Sequence, residues 1–176
     1  RKLWIVLSGL ADGPAWNSMH IEQGESSSRF PPCRSRILAG RPHVLADASE
    51  KLMSRQDSLA RVLQSGIVAI LRAPSGERLG DVAEALLAGG VDCMEVTFTV
   101  PNAIDVLREL DERVGDRALL GAGTVLDSET ARAAILAGAE FIVSPSTDLD
   151  VIRLCNRYDK LVMPGALTPT EVVTAW

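Results

Sequence analysis

The chain has 176 residues, enough for one domain of ordinary size, and its 47% hydrophobic and 23% charged residues are those of a globular protein. A net charge of −5 without a visible basic stripe argues against nonspecific nucleic-acid binding, and no apolar run approaches the roughly 18 to 20 residues of a membrane-spanning helix. Three widely spaced cysteines (Cys33, Cys93, Cys155) and two histidines (His20, His43) disfavour a disulfide framework or a zinc site and fit a reducing cytoplasm.

Residues 1–52 hold both histidines, two of the three tryptophans and the stretch "ESSSRFPPCRSR", with no sustained period of 2 or 3.6. Their opening apolar core is too short for a confident secretory signal. The expectation is that 1–52 is an extension foreign to the fold, that Met53 is the native start, and that 53–176 forms the domain. "MSRQDSLARVLQSG" then opens as a helix followed by a strand.

From Met53 onward, β-like runs at Ile67–Arg72, 93–99, 118–125, 141–146 and 161–167 alternate with helical patterns every 20 to 26 residues or so. This is the βαβα rhythm of a parallel sheet covered by helices. The first covering helix has Leu79, Val82, Ala83 and Leu86 on one face and stops at Gly89-Gly90. The second repeats the spacing with Ala103, Val106, Leu107 and Leu110, with Asn102 placed to cap it. "LLAGGVDCMEV" and "ILAGAEFIVSP" share a helix end, a glycine turn and a strand, and such repetition favours a (β/α)8 barrel over an open sheet. "GAGTVLD" lacks the third glycine of a dinucleotide fingerprint. "TPTE" (168–171) is a capping box that begins another helix, and about five βα units of a barrel are counted by Trp176.

Within the second β-run, Met94, Val96 and Phe98 make one apolar face, while Cys93, Glu95, Thr97 and Thr99 make the other. A carboxylate in mid-strand is either paired or used, because its charged form loses hydration there. Barrel enzymes build their sites at the C-terminal ends of their strands, where this chain places Arg72, Glu95, Thr97, Thr99, Thr124 and Pro145. One carboxylate, one cation and several hydroxyls suit proton transfer on a small substrate carrying a carboxylate. No cluster of ligands for a metal accompanies them, and no cofactor is expected.

These segments resemble a family. "GGVDCMEVTFTVPNA", "GAGTVLD", "AGAEFIVSP" and "MPGALTPTE" are similar, in order and spacing, to the 2-keto-3-deoxy-6-phosphogluconate / 4-hydroxy-2-oxoglutarate aldolases, from about Ser58 to Trp176. The resemblance implies a cytoplasmic (β/α)8 enzyme, usually homotrimeric and metal-independent, that forms a Schiff base and splits a keto acid into pyruvate and an aldehyde. It implies Glu95 as the general acid/base, with Thr124 and Pro145 at the pyruvyl carboxylate and Arg72 near the substrate charge. Many members carry arginine where Thr99 stands here, and a subset reads "TFTVP" as this chain does.

The family's nucleophile lies in a K-x-F-P segment on the barrel's sixth strand, which does not occur in this sequence. Lys160 precedes the fifth barrel strand, at the end remote from the site, and Lys2 and Lys51 lie outside the repeat. The expectation is therefore an aldolase barrel truncated before its lysine and inactive by itself. An inert fragment or a misassigned reading frame of such an enzyme, or a sugar-phosphate isomerase or epimerase barrel, stands as the alternative.

Overall fold

Ser54 begins the ordered pattern: its hydroxyl accepts from the Asp57 N–H, and the Asp57 carboxylate accepts from the Ser54 backbone. This reciprocal box starts helix α1 (Arg55–Ser65), and Gly66, at φ 70°, ends it in the left-handed turn that a side chain resists. The computed structural model describes residues 4–9, by their backbone, and 53–176. Cys33, His20, His43, Lys2 and Lys51 lie outside the described residues.

Strand β1 (Trp4–Gly9) comes first in the chain and β2 (Ile67–Arg72) follows α1. Then come α2 (Leu79–Ala88), β3 (Cys93–Thr97), α3 (Ala103–Val114), β4 (Leu119–Gly123), α4 (Ser128–Leu136), β5 (Phe141–Ser144), α5 (Leu149–Arg157), β6 (Leu161–Pro164) and α6 (Pro169–Ala175). The six strands are all parallel and adjacent in chain order. With no reversal of strand order there is no switch-point crevice of the nucleotide-binding kind, and the single winding is that of a barrel wall.

Two differences from the sequence expectations have clear causes. No element of the fold was expected before Met53, yet β1 pairs with β2 from Trp4 opposite Ile67 to Gly9 opposite Arg72. A six-residue run is too short for periodicity to register. Strand β2 ends with its run at Arg72, whereas β3 to β6 end two or three residues earlier than theirs. Beyond Thr97, Gly123 and Ser144 the chain turns outward, with Phe98 N donating to Gly123 O (2.8 Å), Val125 N to Val143 O (3.2 Å) and Gly165 N to Ser144 O (2.8 Å). Those bonds hold the loop bases together although the ladders have stopped.

The sheet packs on both faces. Met94, Val96, Leu120, Ala122 and Ile142 meet the apolar stripes of the helices. In α3 the expected Ala103, Val106, Leu107 and Leu110 are all buried, joined by Val114. In α2 Leu79 and Ala83 are buried, and Val82 and Leu86 pack half-buried against the same core. Each large apolar side chain so buried stabilises the fold by about 1.5 to 3 kcal/mol relative to exposure. On the opposite face Val68, Cys93, Leu119, Phe141 and Leu161 cluster with Val62 of α1. Asn102 does not cap α3: it sits at φ 56° and its side chain makes no capping bond. Its left-handed backbone serves the turn after Pro101, and asparagine is among the few residues that visit that conformation.

Candidate active site

Register sets the site. Ile70, Glu95, Gly121, Phe141 and Leu161 are matched in turn across β2 to β6, and Thr97 is matched to Gly123 one storey nearer the loops. Glu95 points to the face of the Cys93–Phe141 cluster, directly above its apolar floor. The two glycines of β4 make that possible. A Cβ on Gly123 would land on the Glu95 carboxylate, and one on Gly121 would land on the Phe141 ring. Absent side chains on one strand thus admit a carboxylate from one neighbour and an aromatic ring from the other.

Glu95 is 5% exposed, and no group among the described residues donates a hydrogen bond to it. Burial pushes its carboxyl up to about 7, while the field of Arg72 opposes the rise. Arg72 ends β2 exposed, on the same face as Val68 by strand alternation, and takes part in no ion pair among the described residues. A buried carboxyl poised near neutrality can both take and give a proton.

Hydroxyls line the path outward from Glu95. Thr97, 1% exposed, donates from Oγ1 to Leu71 O at 3.2 Å, and its oxygen lies 3.0 Å from Thr99 Oγ1. Thr124 follows β4 at φ 61°, a left-handed conformation that β-branched residues rarely adopt. It is not the cap of α4, because Asp127 holds that place and accepts from Thr130 N at 2.6 Å. Its own hydroxyl has no partner among the described residues, so a strained residue presents a free hydroxyl beside the strand that carries Glu95.

Of the residues singled out in the sequence, Arg72 ends β2, Glu95 and Thr97 share one face of β3, and Thr124 directly follows β4. Pro145 stands apart, exposed after β5 and two strands from Glu95, with its carbonyl packed so closely on Gly165 that a Cβ there would strike it. In the sequence Gly121 and Gly123 say only that the third glycine of a dinucleotide fingerprint is missing. Their signal was the strand spacing, since two glycines on one face of a buried strand call for something large opposite. Lys160 is at the other end of β6, 8% exposed, with Nζ 2.6 Å from a Glu140 oxygen. Cys93 and Cys155 are buried with thiols pushed up to about 11 by desolvation, which makes both inert. Among the described residues no three His, Cys, Asp or Glu side chains gather to hold a metal ion. No described helix is long and apolar enough to cross a membrane.

Residues 59–176 match the family described as "Aldolase: KDPG and KHG aldolase". A 2-dehydro-3-deoxy-phosphogluconate aldolase of Treponema pallidum is 40% identical over 102 residues, covering 56% of this chain and 48% of that protein. A 2-dehydro-3-deoxy-6-phosphogalactonate aldolase of Escherichia coli is 34% identical over 109 residues, covering 62% and 53%. Among solved structures, a KDPG aldolase from Legionella pneumophila, holding pyruvate as a covalent carbinolamine intermediate, superposes with a TM-score of 0.58 at 30% identity over 61% of this chain and 52% of that one. The chain spans about half the length of the curated relatives it matches. With the strand order, the helix stripes and the carboxylate at the loop end of β3 all in accord, the chain belongs to the KDPG and KHG aldolase family.

Proposed function

We propose that this chain forms part of a class I aldolase that cleaves 2-keto-3-deoxy-6-phosphogluconate or 4-hydroxy-2-oxoglutarate to pyruvate and an aldehyde, with Glu95 as the proton shuttle. The observation that carries the proposal is a buried carboxyl in the middle of a barrel strand, pushed up to about 7 and without a hydrogen-bond partner among the described residues. The carbinolamine in the Legionella relative is what an amine and the keto group of pyruvate make.

In this reading an amine adds to the substrate keto carbon, and protonated Glu95 hands its proton to the carbinolamine hydroxyl, which leaves as water. The carboxylate left behind then takes the proton of the 4-hydroxyl. As that C–O bond becomes a carbonyl, the C3–C4 bond breaks and its electrons pass to the protonated imine, giving an enamine. Glu95 returns its proton to C3, and water releases pyruvate. Arg72 steadies the substrate charge, and Thr97 and Thr124 frame the pyruvyl end, with Pro145, which the family pattern also puts there, standing two strands from Glu95. Among the described residues no lysine stands near Glu95, and Lys160 is engaged with Glu140 at the opposite end, so the nucleophile comes from outside the described residues. We further propose a homotrimer in the cytoplasm; a sedimentation mass other than three subunits for the native protein removes that assembly.

Borohydride reduction of the native gene product with pyruvate is the test. A covalent adduct of pyruvate mass on one lysine, outside 53–176, supports the proposal. An adduct on Lys160 would overturn the assigned geometry, and no adduct at all would leave an inert fragment as the better account.

A further inference from the structure

Every strand of a closed barrel is paired along both edges, and an eight-stranded barrel closes when its last strand pairs in parallel with its first. The family match begins at residue 59, so β2 is the first barrel strand and β3 to β6 are the next four. Strand β3 takes one edge of β2, over Ala69 to Leu71. The other edge is where the closing strand belongs.

That edge is taken by β1, a segment from outside the family match. It runs parallel to β2, the direction a closing strand must have, and matches all six residues of β2, from Trp4 opposite Ile67 to Gly9 opposite Arg72. The ladder between β2 and β3 matches only three. A strand edge offers one row of N–H and C=O groups, so a β2 covered from end to end has none left for a second partner. Because Gly9 lies level with Arg72, the end of β1, and not the loop that follows a closing strand, stands beside the cation of the candidate site.

We propose that β1 is an autoinhibitory strand: seated on β2 it holds the place of the barrel's closing strand, and the site is completed only when the two exchange. A bare β2 edge would be a template for pairing with other chains, so a cover from the same chain also guards the unclosed form against aggregation. The inhibition rests on the aldolase reading above, whereas the exchange of strands does not.

Leu7→Cys combined with Ile70→Cys in the native, full-length protein tests the exchange. The two positions are opposite one another, and neighbouring strands lie about 4.8 Å apart, within reach of a disulfide. Mild oxidation is expected to join positions 7 and 70, as read by peptide mass. In the oxidised protein another strand should lose the amide-exchange protection it has after reduction, and cleavage of 2-keto-3-deoxy-6-phosphogluconate should be lost until reductant restores it. Consecutive N–H groups of a strand point to opposite edges, so adding Ile5→Pro and Val6→Pro removes one that faces β2. The disulfide yield should then fall about tenfold, the scale of one hydrogen bond, and cleavage before oxidation should rise. No disulfide, a disulfide that costs no other strand its protection, or prolines that leave the yield unchanged would each overturn the proposal. A strand that loses protection in a protein that cleaves nothing even when reduced would uphold the exchange and overturn the aldolase reading.

Discussion

The two ends of the sheet treat buried charge in opposite ways. At the end where strands begin, Lys160 is held by Glu140 at 2.6 Å, and Arg61 spans Asp92 at 3.2 Å and the Arg117 carbonyl. Both Lys160 and Arg61 thus have a partner for the water they lose. Nearer the end where strands stop, Glu95 is more deeply buried than Glu140 and has no hydrogen-bond donor among the described residues. The first arrangement is what stability requires of charge taken from water, and the second works against stability once the carboxyl is charged.

The largest effect expected from breaking this contrast is at Glu95. Glu95→Gln should slow turnover by about 10² to 10⁴, the usual reach of one general acid–base group. Stability should move the other way, with a sign set by burial. The folded carboxyl, at about 7, lies above the ordinary 4.5, so its stabilising contribution is fully present below about pH 4.5 and lost as pH rises through about 7. At pH 8 the wild type holds an unpaired buried carboxylate and the amide variant does not, so urea unfolding should find the variant more stable, by at most about 3 kcal/mol. A variant that is both slower and less stable would mean that Glu95 is a structural carboxylate after all.

Lys160→Met should give the reverse pattern at the other end. It strands the Glu140 carboxylate in a site only a quarter exposed, which costs about 3 kcal/mol when one member of a buried pair is removed. The thermal midpoint should fall, while turnover per folded molecule and the pH profile of turnover stay as they were. A change in the profile would show that the two ends communicate.

Gly123→Ala tests the space rather than the charge. The added methyl displaces the free end of the Glu95 side chain, not backbone, so stability should change little while turnover drops about tenfold or more, since a misplacement near 1 Å is costly in catalysis. Nothing in composition distinguishes this glycine from one that merely permits a turn. Much of the rest is legible: the βα rhythm places every strand from β2 to β6, the stripe of α3 reads residue by residue, and alternation puts Glu95 and Thr97 on one face, whereas Thr99 falls in the turn beyond the strand. Those features repeat, and repetition is what a sequence displays. What stayed hidden depends on a single backbone angle or on contact between strands: Asn102 in a left-handed turn, Phe141 filling the vacancy at Gly121, and β1 lying beside β2 across some 60 residues of chain. Pairing over such separation leaves no local period to find.

Thr124 offers the smallest and most discriminating change. A β-branched residue at φ 61° carries strain on the order of 1 to 3 kcal/mol, which glycine would release while losing about 0.5 to 1 kcal/mol to the greater freedom of its unfolded chain. Thr124→Gly should therefore stabilise the fold slightly, by about 1 kcal/mol, and α4 should not suffer because Asp127 supplies its cap. If the hydroxyl holds the pyruvyl carboxylate, KM for the keto acid should rise in the same protein that has become more stable. Stability gained at the expense of binding is what a strained residue kept for its hydroxyl predicts. Were Thr124 only a spacer between β4 and α4, the glycine variant would be more stable and equally active.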